Sequence, residues 1–329
     1  MAKNITKKNI LNLLVSLIKN KIGIPAPLVL SLMLTYNCNL HCPKCNVKHN
    51  RRNFRGKELT TEKVIGLIDQ SRDLGASILY LQGGEPLIRN DVGKILRHAK
   101  NKGMITFLTT NGCFIKDKID QISDSLDYLR ISLYSLKKQD DICGVKGSFD
   151  RIMEGLELCR QKGINTTITA VISDDTIQEM EEFARFSNRV GCKITYTKML
   201  NPDNQYSLAV DNNMFMANLK KLRKKYKNIK NLDYFLFDKN VHLTCRGASM
   251  VLSIDPDGRL FLPCNLFPIL KIDTMNSSLK KIWNDPKLGE MRQRTGYYDF
   301  CKGCINRCYL FPSMCLSFSG LWSIFKQWY

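Results

Sequence analysis

The chain has no apolar run long enough to cross a bilayer, no internal repeat, and a deficit of acid. Its 30 Asp and Glu stand against 50 Lys and Arg, a formal net charge of +20 over 329 residues. A membrane-spanning helix needs about 20 apolar residues. The strongest candidate, Ile10–Ile18 (ILNLLVSLI), is far shorter. It also lacks a small-residue cleavage site, which argues against a secretory signal peptide. The densest basic run, Lys220–Lys230 (KKLRKKYKNIK), comes with no nucleic-acid module, so it reads as a solvated helix face and no nucleic-acid partner is expected. Apolar residues make up 44%, enough for a substantial core, and the length suits one barrel plus a smaller unit. Cysteine is plentiful at 13. Disulfide frameworks belong to short secreted chains, whereas these cysteines fall in ligand-like groups. Cys113, Cys143, Cys159 and Cys192 stand apart and read as small buried hydrophobes.

The first group is Cys38, Cys42 and Cys45 in TYNCNLHCPKC. Three thiolates from one short loop suit an iron–sulfur cluster; a structural zinc site would want four ligands at closer pairings. The loop follows Leu28–Thr35, a continuous apolar run that reads as a strand. A second strand-like run, Ser77–Gln82, ends in Gly83-Gly84-Glu85-Pro86. Glycines there let backbone come close to a ligand. A third, Ile105–Thr109, ends in Thr110-Asn111-Gly112, and a fourth, Tyr128–Leu133, ends in Ser132 and Tyr134. Active-site loops of parallel β/α barrels gather at such C-terminal strand ends.

These motifs in this order resemble the radical S-adenosylmethionine (radical SAM) superfamily. The resemblance implies a 4Fe-4S cluster on Cys38, Cys42 and Cys45 whose open iron binds S-adenosylmethionine. One electron from an external donor of the flavodoxin or ferredoxin type then yields a 5′-deoxyadenosyl radical. The same resemblance implies cofactor contacts from Tyr36, Gly83, Gly84, Glu85, Pro86, Thr110, Asn111, Ser132 and Tyr134. Glu85 and Tyr134 are also the candidates for a catalytic role. The chain departs from the family at Lys44, where an aromatic residue is usual, and at Tyr134, where an aspartate is common.

Further helices are expected near Thr61–Leu74, with a Thr60/Thr61 cap, Val92–Lys102, Lys116–Ser125, Phe149–Lys162 and Ile177–Val190. Strands near Thr166–Ile172 and Lys193–Thr197 complete six β/α units. The fold class is therefore α/β: a partial (β/α)6 TIM-like barrel, open because six strands do not close an eight-stranded ring. A small cysteine-rich unit follows. Val251–Ile254 and Arg259–Leu262 around Asp255-Pro256-Asp257-Gly258 read as a β-hairpin, flanked by Cys245 and Cys264. With Cys301 and Cys304 these resemble the ligands of twitch and SPASM extensions, implying one auxiliary 4Fe-4S cluster, with Cys308 and Cys315 as alternates. A zinc knuckle is the other reading. The divisions are an amphipathic helix over 1–24, the barrel over 25–199, a lysine-rich connector over 200–243, the cysteine-rich unit over 244–316 and an aromatic segment over 317–329.

Asn9, Asn12, Ser16 and Lys19 recur at helical spacing opposite a wide apolar face. Phe318–Tyr329 (FSGLWSIFKQWY) sets aromatics beside lysine. Together the ends suggest peripheral contact with the inner face of the cytoplasmic membrane; packing on the barrel or on a partner subunit is the other reading. The entry segment PLVLSLMLTYNCNLHC is loosely similar to radical enzymes of hopanoid and archaeal tetraether lipids. Hydrogen abstraction from a lipid or isoprenoid chain, with formation or remodelling of a carbon–carbon bond, is thus the first expectation. A SPASM-type peptide maturase is the alternative, set back by the want of an extra N-terminal peptide-binding domain, and a non-catalytic metal-binding protein is the third. Two four-iron clusters predict about eight irons per reconstituted chain. About four, unchanged on removing Cys301 and Cys304, is the result for a single cluster.

Overall fold

The computed structural model describes residues 7–201 apart from 46, 48–50, 52, 53 and 55, together with 207–230, 244–264, 267–301, 312, 313 and 316. Helix α1 (Lys7–Lys21) precedes β1 (Val29–Met33). Then β2 (Ile78–Gln82), β3 (Ile105–Thr110), β4 (Tyr128–Leu133), β5 (Thr166–Ile172) and β6 (Lys193–Lys198) follow, each paired in parallel with its predecessor. The connecting helices are α2 (Thr61–Asp73), α3 (Val92–Asn101), α4 (Ile115–Ile122), α5 (Ser148–Gln161) and α6 (Met180–Arg189). Thr60 caps α2 by accepting from Lys63 N, as the sequence predicts. The expected start near Ile177 is instead a 3-10 turn, Ile177–Glu179, leading into α6.

Successive strand residues point to opposite faces, and the two faces differ. Leu30, Leu32, Leu79, Leu81, Leu108, Leu129, Ile131, Ile168 and Ile194 are buried in one apolar core with the helices. The alternate residues Tyr80, Gln82, Thr109, Arg130, Ser132, Thr169 and Thr195 are half-buried on the face the helices leave open. That face is apolar only at its lower end, where Val29, Ile78, Ile105, Phe107 and Tyr128 form a second cluster with Leu13 and Leu17 of α1.

The cysteine-flanked hairpin is not a separate sheet. Its strands β7 (Val251–Ile254) and β8 (Arg259–Leu262), with β9 (Leu270–Asp273), extend the barrel sheet to nine strands in the order β9-β8-β7-β1-β2-β3-β4-β5-β6. β7 lies parallel to β1, with Ser31 opposite Ser253, so it covers the edge that an incomplete barrel would leave bare. The connector also holds more structure than expected. Helix α7 (Asn212–Lys225), capped by Asp211 accepting from Met214 N at 2.7 Å, buries Phe215, Leu219 and Leu222. Its lysines lie on the remaining face, and residues 231–243 fall outside the described residues.

Helix α1 meets the protein with apolar and polar residues together. Beside Leu17, the polar residues Asn9, Ser16 and Asn20 are buried. Asn9 Nδ2 donates to Gly103 O at 2.6 Å and Ser16 Oγ to Gly75 O at 2.8 Å. Asn20 Nδ2 donates to Ser16 O at 2.9 Å and to Ala26 O at 2.6 Å. The cause is local. The loops into β2 and β3 present bare carbonyls at the bottom of the barrel, and a buried carbonyl needs a donor. Replacing Asn20 by Leu, which keeps the bulk and removes the donor, is expected to cost roughly 1–3 kcal/mol. A lowered urea midpoint with unchanged far-UV circular dichroism would show it; an unchanged midpoint would mean that the two bonds contribute nothing.

Candidate active site

The three-cysteine loop leaves the top of β1 and is held from below by the turn after β2. Gly84 N–H donates to Thr35 O and Glu85 N–H to Asn37 O, both at 2.8 Å. A Cβ on Gly83 would sit 2.5 Å from Thr35 O, and one on Gly84 would overlap the Asn37 carbonyl. The close approach of this loop's own backbone is enough to require both glycines. From the other side Glu58 Oε1 accepts from Thr35 Oγ1 at 2.6 Å, Tyr36 N at 3.1 Å and Asn37 Nδ2 at 3.3 Å. Arg89 Nη1 donates to Leu34 O at 3.3 Å and Leu59 O at 3.0 Å, oriented by a paired bond to Asp91. Sequence reasoning missed both residues. The one signal for Glu58 is that it is the first acidic residue in the chain.

Glu85 is fully buried and its carboxylate is fully engaged. It accepts from Leu87 N at 2.9 Å, Thr110 Oγ1 at 2.7 Å and Asn111 N at 2.7 Å. Burial pushes its pKa up to about 7, against the three donors that favour the charged form. The Glu85 carboxylate is a strut between the turns after β2 and β3. Thr110 is buried, with its hydroxyl donated to Glu85. Pro86, also buried, opens the 3-10 turn Pro86–Ile88 behind this strut. Asn111 does reach the site, with Nδ2 at 2.8 Å from Asn39 Oδ1 and 3.7 Å from Cys38 Sγ. Ser132 lies on the open face of β4. Tyr36 is buried with its ring edge-on to Phe54, centroids 4.9 Å apart. Tyr134 packs against the core beside Cys42 and Cys45, and burial raises its pKa well above the phenol range.

Cys38, Cys42 and Cys45 form no disulfide and lie within electrostatic reach of one another. Burial pushes Cys38 up to about 11, and the Leu40 N–H at 3.4 Å from its sulfur acts the other way. Such amide donors favour sulfur that carries charge, as in a cluster thiolate. Cys245 and Cys264, also outside any disulfide, have the same feature, accepting from Gly247 N and Phe267 N, each at 3.4 Å. Both pack on one apolar cluster at the lower end of the barrel, and Cys301 is half-buried. Cys304, Cys308 and Cys315 lie outside the described residues. Among the described residues no group of three or more His, Cys, Asp or Glu is placed to hold a single metal ion. The donor sets suit clusters, whose ligands spread over several irons. Cys113, Cys143, Cys159 and Cys192 are buried, as read from sequence. Cys143 is also set against Cys42, which the isolated spacing did not suggest.

The hairpin reaches the same loop. Leu59 N donates to Pro256 O at 2.7 Å, and Gly56 packs directly on Asp257. Glu58 is thus pinned between the hairpin turn and the cysteine loop.

Comparison with known proteins agrees with this arrangement. Residues 32–187 match the Radical SAM superfamily, and residues 245–305 match SPASM, an iron–sulfur cluster-binding domain. The chain is a radical SAM protein with a SPASM extension, which implies a 4Fe-4S cluster with S-adenosylmethionine and auxiliary iron–sulfur ligation. It is 23% identical to the AdoMet-dependent heme synthase of Methanosarcina barkeri, over 86% of this chain and 93% of that protein. It is 25% identical to the PqqA peptide cyclase of Rhizobium meliloti, over 84% and 79%. A 30% match to Fe-coproporphyrin III synthase of Methanosarcina barkeri spans 37% of that protein. Streptococcus suis SuiB bound to precursor peptide SuiA superposes with TM-score 0.66 at 19% identity, over 87% of this chain and 71% of that one. None of these relatives is a hopanoid or tetraether-lipid enzyme.

Two tests follow from the bracing of the loop. Gly84→Val should drive a side chain into Asn37 and lose most of one cluster's iron, about four per chain; normal iron with weak cofactor binding would restore the ligand-approach reading of the glycines. For Glu85, a folded pKa near 7 against 4.5 unfolded makes the neutral form the favoured one in the fold. Its contribution is complete below pH 4.5 and is lost as pH rises through 7, by roughly 3 kcal/mol. Glu85→Gln should flatten that part of the stability–pH curve relative to the parent. Parallel curves would place the titration elsewhere.

Proposed function

We propose that this radical SAM enzyme acts on a peptide, taking hydrogen from an unactivated carbon above the open face of the barrel. The observation that carries this reading is the polarity of that face. Tyr80 Oη meets Thr109 Oγ1 at 2.8 Å, Gln82 Nε2 donates to Ser31 Oγ at 3.0 Å, and Thr169 meets Thr195 at 3.3 Å. Arg130 and Lys193 stand at one level of the sheet, linked through the register of Thr167. Burying this polar surface and its two cations against hydrocarbon would be costly, whereas a peptide offers donors, acceptors and acidic side chains to it. Two cations on the wall favour an acidic peptide. The PqqA cyclase relative and the peptide-bound SuiB structure support the same class.

The bound cluster with S-adenosylmethionine supplies the radical and an external donor the electron; the protein supplies position. In this reading Asn111 and Tyr134, which lie beside the cysteine loop, would contact the cofactor, Glu85 and Glu58 hold that loop, and Ser132 would face the substrate. The lipid-chain reading loses its structural motive, because the wall that would line the chain is polar. A tetrapyrrole is the second reading, favoured by Arg130 and Lys193 as partners for propionates and by the heme synthase relative.

Reconstituted enzyme with reductant should form 5′-deoxyadenosine faster on addition of an acidic peptide, with a mass change in that peptide. Arg130→Ala should raise its KM about tenfold without changing iron content. Stimulation by a propionate-bearing tetrapyrrole alone selects the second reading, and stimulation only by an isoprenoid or acyl chain overturns both.

A further inference from the structure

We infer that the outward face of α1 is a docking surface for an anionic membrane, and that it holds the enzyme with its active-site mouth turned away from the bilayer. The inference stands apart from the peptide reading. Because α1 spends its polar residues on the barrel, it shows apolar ones to solvent: Leu11, Leu14, Val15 and Ile18 are 44–61% exposed. Ile22 and Ile24 continue the patch at 67% and 51%. These account for six of the eleven large hydrophobics exposed among the described residues, all within 14 residues of sequence. Scattered exposed leucines need no explanation, but a contiguous patch of this kind marks an interaction surface.

Charge selects the occupant. Lys7 and Lys8 precede the apolar stretch and Lys19 and Lys21 close it, the last two exposed. Residues 1–57 contain 11 Lys and Arg and no Asp or Glu. An apolar strip between cations, in a segment without acid, is complementary to anionic headgroups over acyl chains. A second copy of this chain would set +20 against +20, so self-association through this face is disfavoured.

The fold then sets the orientation. Asn9 and Ser16 bind the loops that lead into β3 and β2, at the N-terminal ends of the strands. The cysteine loop lies at the opposite ends. A strand of five residues such as β1 spans about 16 Å. A membrane on α1 is therefore separated from the cluster by the height of the barrel, so docking localises the enzyme without feeding lipid to the cluster.

The test is flotation of the reconstituted full-length enzyme with phosphatidylcholine vesicles, with or without phosphatidylglycerol. Binding is expected only with phosphatidylglycerol and should weaken as salt rises. Leu14→Ser/Ile18→Ser and Lys19→Glu/Lys21→Glu should each lower partitioning about tenfold or more. Iron content and uncoupled cleavage of S-adenosylmethionine should match the parent in both, which separates lost docking from lost folding. Absence of flotation in the parent overturns the inference, as does parental flotation by both variants. So does a shift from dimer to monomer in the first variant with vesicle binding intact, which would make the face a contact between copies. Loss of flotation on deleting 317–329, with both α1 variants still floating, would move the anchor to the C-terminal segment and equally overturn it.

Discussion

Two backbone hydrogen bonds, from Gly84 to Thr35 and from Glu85 to Asn37, fix the cysteine loop to the second strand, and the rest of the site is arranged on them. They require the two chains to approach more closely than any side chain allows, which accounts for both glycines. They also carry Glu85 inward, where its carboxylate meets Thr110 and Asn111 of the third strand's turn. The carboxylate is costly to bury, and three donors offset only part of that cost, so its pKa rises to about 7. A carboxylate kept on those terms acts as a brace: it ties the loop that holds iron to the loop whose asparagine reaches Cys38.

The auxiliary unit belongs to the same construction. By pairing β7 with β1 the chain covers the free edge of a six-stranded barrel and aims the hairpin turn at Gly56–Leu59. Glu58 sits in that segment and accepts three donors from Thr35, Tyr36 and Asn37. A change in the turn at Asp257 would therefore be felt at the cysteine loop through Glu58, although it is about 200 residues away in sequence. This is a packing route between the two cluster regions, made of backbone contacts and one carboxylate.

Local signals were readable and non-local ones were not. β4 and β5 match their expected bounds residue for residue, and so do both hairpin strands, because alternation and turn residues are local properties. The three cysteines, the Gly83–Pro86 turn and Asn111 were found through motif order. What those residues touch within the fold was not readable: the bonds from Leu87 N, Thr110 Oγ1 and Asn111 N to the Glu85 carboxylate join segments that no local pattern connects. Glu58 and Arg89 carry no motif at all; their importance arises from backbone groups contributed by distant segments. In the connector the basic run read as a solvated helix face, whereas the start of that helix and its buried side, Phe215, Leu219 and Leu222, were not read. For α1 the helical period was readable, but not which residues the barrel takes up: Asn9, Ser16, Leu17 and Asn20 are buried, while Leu14 and Ile18 are exposed. A helical period says that two faces differ, while the neighbour's carbonyls decide which one is buried.

The placement of α1 at the lower end of the barrel separates two ideas that the sequence joins. Basic amphipathic ends suggested both a membrane and a lipid substrate, as though contact with one implied action on the other. In the fold, the apolar surface of α1 and the cysteine loop lie at opposite ends of the strands, and the wall between them is built from Tyr80, Gln82, Thr109, Arg130, Thr169 and Thr195. A hydrocarbon tail crossing from the lower end would have to pass the packed layer of Val29, Ile78, Ile105, Phe107 and Tyr128, where Phe107 stacks on Tyr128 at 4.5 Å. It would then meet only hydrogen-bonding groups. A substrate arriving from water at the upper end meets none of these barriers. The polarity of the wall thus bears on what the enzyme modifies, and the surface of α1 on where it does so.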